Sequence, residues 1–105
     1  MESKMKNNKL DSIIFKYLEN KNFIIKETIT EYYFLEDESD RSGKIKIMKD
    51  DAVCFIDYDL IKEIQSFFSV ETNTSKDIIT RYVENILNIE VSKSYLANNF
   101  NLWIG

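Results

Sequence analysis

Thr28-Ile29-Thr30-Glu31-Tyr32-Tyr33-Phe34-Leu35, Lys44-Ile45-Lys46-Ile47-Met48-Lys49 and Ala52-Val53-Cys54-Phe55-Ile56 are the runs in which the chain leaves a helical period for a strand period. The first belongs to a β-branched and aromatic stretch, Phe23 to Leu35, whose side chains suit a pleated, half-buried surface. The second alternates polar and apolar residues, as a strand with one buried face does. Between them Glu36-Asp37-Glu38-Ser39-Asp40-Arg41-Ser42-Gly43 is a strong turn signal, and Asp50-Asp51 makes a tighter turn before the third run. Short connections favour antiparallel neighbours, so the three runs predict a three-stranded antiparallel meander.

Upstream, Leu10, Ile13, Ile14, Tyr17 and Leu18 fall on one face of a 3.6-residue period. They predict a helix over Asn8 to Asn20, capped by Asn8, with residues 1–7 as a flexible N-terminus. Downstream, Leu60, Ile61, Ile64, Phe67 and Phe68 predict a helix over Leu60 to Phe68, capped by Asp57 or Asp59. Ile78, Ile79, Tyr82, Val83, Ile86 and Leu87 predict another, opened by Thr74 and Asp77 as a capping box. Ser92 reads as the cap of a short final helix carrying Tyr95 and Leu96, ahead of a tail with Phe100, Leu102 and Trp103. The expected fold is α+β in the order α-β-β-β-α-α with a C-terminal extension. It forms a single domain over residues 1–105, with the helices packed on one face of the sheet.

Composition excludes much chemistry. A chain of 105 residues, 44% apolar and 30% charged, suits one folded domain. The formal net charge of −4 argues against direct binding of a nucleic-acid backbone. There is no His, which removes Ser-His-Asp and Cys-His constellations and the usual zinc ligand. One cysteine, Cys54, cannot close an internal disulfide, which points to a reducing, cytoplasmic location. Two glycines, Gly43 and Gly105, leave no phosphate-cradling loop. No stretch approaches the roughly 18 apolar residues of a membrane span, so neither a cofactor nor a membrane partner is expected.

Charge is unevenly spread. Residues 1–26 carry six lysines against three acids, net +3, whereas residues 27–75 carry five basic and twelve acidic groups, net −7. Turns and helix starts account for many of these acids, and an acidic surface would also dock a basic partner. Asp50, Asp51, Asp57 and Asp59 raise the alternative of Mg²⁺-dependent phosphodiester cleavage. The order α-β-β-β invites comparison with the restriction-type nuclease fold, which wants an acid on one strand and Glu-x-Lys on the next. The third run instead ends Asp57-Tyr58-Asp59 with no Lys two positions after an acid, and the comparison fails there.

Tyr32-Tyr33-Phe34-Leu35 does not alternate. Ile29, Tyr33 and Leu35 belong to one sheet face and Tyr32 and Phe34 to the other, so both faces must be covered locally. The first helix or the C-terminal tail would cover the second face, or a partner would. The expected function is a non-catalytic protein-interaction module, monomeric or homodimeric. Tyr32, Phe34 and Trp103 would form its contact surface and Glu36, Asp37 and Glu38 an acidic rim. Its partner would be another protein, basic or nucleic-acid-binding. Small size and an Ile-, Lys- and Asn-rich composition point to a phage or mobile-element inhibitor of a host protein. A third reading is a small-ligand binder with Tyr32, Tyr33, Phe34 and Trp103 lining a pocket.

Overall fold

The first helix stops where Asn22 adopts a left-handed φ of 54°, and the chain then enters the sheet. The computed structural model describes residues 2–40 and 42–98. Its elements are α1 (Glu2–Asn20), β1 (Ile24–Glu27), β2 (Glu31–Leu35), β3 (Ile45–Met48), β4 (Val53–Asp57), α2 (Tyr58–Phe68), α3 (Thr72–Leu87) and β5 (Lys93–Ala97). The fold is α+β, and the meander β2-β3-β4 is antiparallel as expected. The sheet is larger than the expected three strands: it has five, in the order β1-β2-β3-β4-β5, with β5 parallel to β4.

Both extra strands have a physical cause. The stretch Phe23 to Leu35 is a hairpin because Thr28 Oγ1 accepts hydrogen bonds from the Glu31 and Thr30 amides, at 3.0 and 3.3 Å, and its own N–H reaches the Glu31 carbonyl at 2.8 Å. Ile29 therefore sits at a hairpin tip, 94% exposed, and shares no sheet face with Tyr33 and Leu35. At the other end, Ser92 caps no helix: its hydroxyl donates to the Asp51 carbonyl at 2.6 Å and its amide to the Ala52 carbonyl at 2.9 Å. Those bonds lay Lys93 to Ala97 along the edge of β4, whose unpaired backbone groups would otherwise be left open.

The helix boundaries also differ. α1 begins at Glu2, not Asn8, and α3 begins at Thr72, so Thr74 lies inside the first turn and caps nothing. Asp57 does occupy the N-cap position of α2, but its side chain makes no cap bond. Its carboxylate faces Lys44 Nζ at 3.6 Å instead. Ser69 and Asn88 close α2 and α3 in left-handed conformation.

Register settles which residues point inward. Phe34, Ile45, Ile56 and Leu96 form one cross-strand row, and Tyr32, Ile47, Cys54 and Ser94 the next. Ile14 and Leu18 of α1, Leu60, Ile61 and Ile64 of α2, and Ile78, Ile79, Tyr82 and Val83 of α3 close over that face in one core. Phe34 lies at its centre, with its ring meeting Phe23 and Tyr82 edge-on.

The acidic loop after β2 is tied down by its own side chains. Asp37 Oδ1 accepts from the Ser39 amide and hydroxyl at 2.9 and 2.6 Å, and these bonds hold its carboxyl below the ordinary range. The Asp40 carboxylate accepts from the amides of Glu36, Gly43 and Ser42 at 2.8, 2.9 and 3.2 Å. Gly43, at a φ of 83°, supplies the left-handed residue that returns the chain to β3. Replacing Asp40 with Ala removes three anchors of this turn and is expected to cost about 1–2 kcal/mol, read as a lowered urea midpoint at constant m. An unchanged midpoint would show that the loop needs none of them.

Candidate functional site

The sheet face opposite the helices is open only in part. The strand register places Lys26, Tyr33, Lys46, Phe55 and Tyr95 across it in one row, β1 to β5, with Glu31, Met48, Val53 and Lys93 in the row beside it. Tyr33 and Leu35, between β1 and β3, are buried at 2% and 3% exposure. The accessible part therefore lies on β3, β4 and β5, where Lys46, Met48, Val53 and Phe55 are half-buried and Tyr95 is 47% exposed. The Phe55 and Tyr95 rings lie 5.9 Å apart at 30°, and Lys46 Nζ stands 5.7 Å from the Phe55 centroid, within cation–π reach.

The electrostatics of this face are lopsided. Its two carboxylates are engaged: Glu31 accepts from the Tyr33 hydroxyl at 2.7 Å and Asp57 pairs with Lys44. Burial, reinforced by Glu31, raises the Tyr33 hydroxyl pKa. Burial likewise raises the Asp57 carboxyl, against the opposing pull of Lys44. Lys26, Lys46 and Lys93 take part in none of the ion pairs among the described residues. With Asp57 paired to Lys44, these three lysines face the single remaining carboxylate of Glu31, so a protein of net charge −4 presents a locally positive face here.

The remaining charged network is structural. Lys21 Nζ lies 2.6 Å from Glu63 and 3.6 Å from Glu36, while Lys44 lies 3.9 Å from Glu36. This chain of alternating charge, extended by Asp57, ties the end of α1 to the β2–β3 loop and the start of α2. Burial would raise the Glu63 carboxyl, but hydrogen bonds from Lys21 and Tyr17 outweigh it and hold it low.

The expected site residues are not brought together. Phe34 is fully buried beneath the helices and cannot reach a partner; this corrects its assignment to the contact surface. Tyr32 also faces the helix side, under Lys49 at 4.9 Å, beside a cavity of about 260 Å³ that Ile47, Met48 and Ile89 help to line. Tyr33 points the opposite way, so these aromatics line no common ligand pocket. α1 covers the face that carries Tyr32 and Phe34, through Ile14 and Leu18, which is the first of the covers expected for it. Trp103 and the tail lie outside the described residues. Of the acidic rim, Glu36 joins the charge chain, Asp37 holds its turn, and Glu38 alone projects without a described bond.

The Asp50 to Asp59 carboxylates are split as well. Asp50 and Asp51 turn the chain at one end of β4, whereas Asp57 and Asp59 start α2 at its other end. Asp57 lies six positions beyond Asp51 along β4, a reach of roughly 20 Å at full extension. Among the described residues no group of three or more His, Cys, Asp and Glu is placed to hold a metal ion, and no helix is long and apolar enough to cross a membrane.

Phe55 and Tyr95 fall outside the expected contact surface for different reasons. Phe55 carries a legible signal, because it alternates with Cys54 and Ile56 and opposes Lys46. Tyr95 carries none, because a helical reading of its segment hides its place on a strand. No known protein family, curated protein or solved structure matches the chain.

Proposed function

We propose that this chain is a non-catalytic binding module that acts by contact with another protein, and that the helix-free face of the sheet is its contact surface. The observation that carries this reading is the Phe55–Tyr95 pair, two adjacent rings on the solvent side of β4 and β5. Met48 and Val53 extend the apolar centre, Lys46 and Lys93 flank it, and Lys26 lies farther along the same face. An apolar, aromatic centre with a polar margin is the anatomy of a protein interface. The single buried thiol suits a reducing compartment, and we place the module in the cytoplasm. A small inhibitor of a host protein works in this way, by occupying a surface without turnover.

Affinity capture from the source cell tests the reading. A Phe55→Ala/Tyr95→Ala variant should keep its circular dichroism and thermal midpoint within a few degrees. It should lose captured partners with an affinity drop of about thirtyfold, the roughly 2 kcal/mol of a hot-spot pair. A folded double variant that retains every partner would show that the contact lies elsewhere.

A further inference from the structure

We infer that the partner at this face is acidic: a protein segment that presents carboxylates around apolar side chains. The inference rests on the assignment of the helix-free face as the contact surface and adds the chemistry of its occupant. Lys26 on β1, Lys46 on β3 and Lys93 on β5 stand on alternate strands, without a carboxylate partner among the described residues. Lys46 and Lys93 flank Met48, Val53, Phe55 and Tyr95, and Lys26 stands farther along the same face beyond Tyr33, so an occupant must offer apolar contact at the centre and negative charge beside it.

Other occupants fit less well. A basic partner, the expectation drawn from the acidic segment of the sequence, would meet three lysines here. The acids of that segment lie away from this face's centre: Glu36 and Asp57 face lysines, and Asp37 and Asp40 hold the turn after β2. A second copy stacked face to face would set two faces of the same positive sign against each other. A nucleic-acid strand would find only three cations, between the carboxylate-bearing loops Glu36 to Asp40 and Asp50 to Asp51 at opposite ends of the sheet. Backbone binding draws its strength from many phosphate contacts and is poorly served by three. The apolar centre, by contrast, is surface that a protein segment can bury.

Selection of a random 12-residue peptide library on phage against the full chain tests the inference whatever the partner's identity. Enriched peptides should be net negative with aromatic or aliphatic residues. They should shift the amide resonances of Lys46, Phe55 and Tyr95, and they should weaken by about tenfold or more between 50 and 500 mM NaCl. The charge-reversed variant Lys46→Glu/Lys93→Glu, whose changes lie on half-buried and exposed side chains, should select basic peptides instead. Neutral or basic peptides enriched by the unaltered chain, and shifting the same three amides, would overturn the acidic assignment and leave the contact face standing. Peptides that shift other residues and survive Phe55→Ala/Tyr95→Ala would overturn both. Binding of the oligonucleotide dT12 more tightly than any selected peptide would overturn the choice of a protein partner.

Discussion

Phe34→Ala is expected to lower the thermal midpoint by about 15–30 °C and to leave a substantial fraction of the chain unfolded at 37 °C. Phe34 is fully buried on the inner face of β2, opposite Ile45, and its ring contacts Phe23 and Tyr82. Truncating a core phenylalanine costs about 3–5 kcal/mol through lost transfer energy and the cavity left behind. A domain of this size holds only about 5–15 kcal/mol in total, and each kcal/mol moves its midpoint by about 4–8 °C. Tyr95→Ala, at a half-exposed position on the edge strand, is the comparison and should move the midpoint by a few degrees at most. Calorimetry on the two variants decides the matter. A Phe34→Ala midpoint within about 5 °C of the parent would mean that the helices do not close over this face of the sheet.

Cys54 should be nearly inert to a disulfide reagent until the protein unfolds. It is completely buried on β4, and burial, with Glu84 adding a smaller repulsion, pushes its thiol from an ordinary value near 9.0 up to about 12. At pH 8 that difference alone reduces the reactive thiolate by about a thousandfold, and steric closure adds to it. Labelling should therefore follow the global unfolding curve in urea. Rapid native-state labelling would contradict the burial of β4.

The same shift carries an alkaline consequence. Below pH 9 the thiol is protonated in both states and contributes no pH dependence. Between about pH 9 and pH 12 the unfolded chain releases this proton while the native chain keeps it, so stability falls as pH rises. The slope from Cys54 is at most about 1.4 kcal/mol per pH unit. The hydroxyls of Tyr17, Tyr33 and Tyr82, all raised first by burial, act in the same direction. Urea midpoints should hold from pH 8 to about pH 9 and decline from there to pH 11, and Cys54→Val should flatten the decline. An alkaline limb unchanged in that variant would remove Cys54 from the linkage.

These expectations also mark how far the residues can be read. The helical stripes at Leu60 to Phe68 and Ile78 to Leu87 are local, 3.6-residue patterns, and both helices form there. The division of Tyr32 and Phe34 from Tyr33 and Leu35 is likewise local, since adjacent strand residues must point apart, and it holds. What fails is the choice of which set faces the core. Both pairs are apolar, and the choice comes from the register across the β2–β3 loop, which sets Phe34 opposite Ile45 and Tyr32 opposite Ile47. The hairpin at Thr28 is within reach of the sequence, because its signal is a threonine bonding to amides two and three residues ahead. Tyr95 is not, because six residues from Ser92 to Ala97 suit a helix turn as well as a strand.

Short-range chemistry alone thus accounts for an α+β chain, its turns, its two amphipathic helices after the meander and the parity of its aromatic strand. Each depends on neighbours within a few residues. Only the assembled sheet puts Phe34 inside, adds Lys93 to Ala97 beside Val53 to Asp57, and lines up Lys46, Phe55 and Tyr95 on one face. Those outcomes rest on pairings between strands, from about ten positions apart for Phe34 with Ile45 to about forty for Ser92 with Ala52, and no local pattern encodes them.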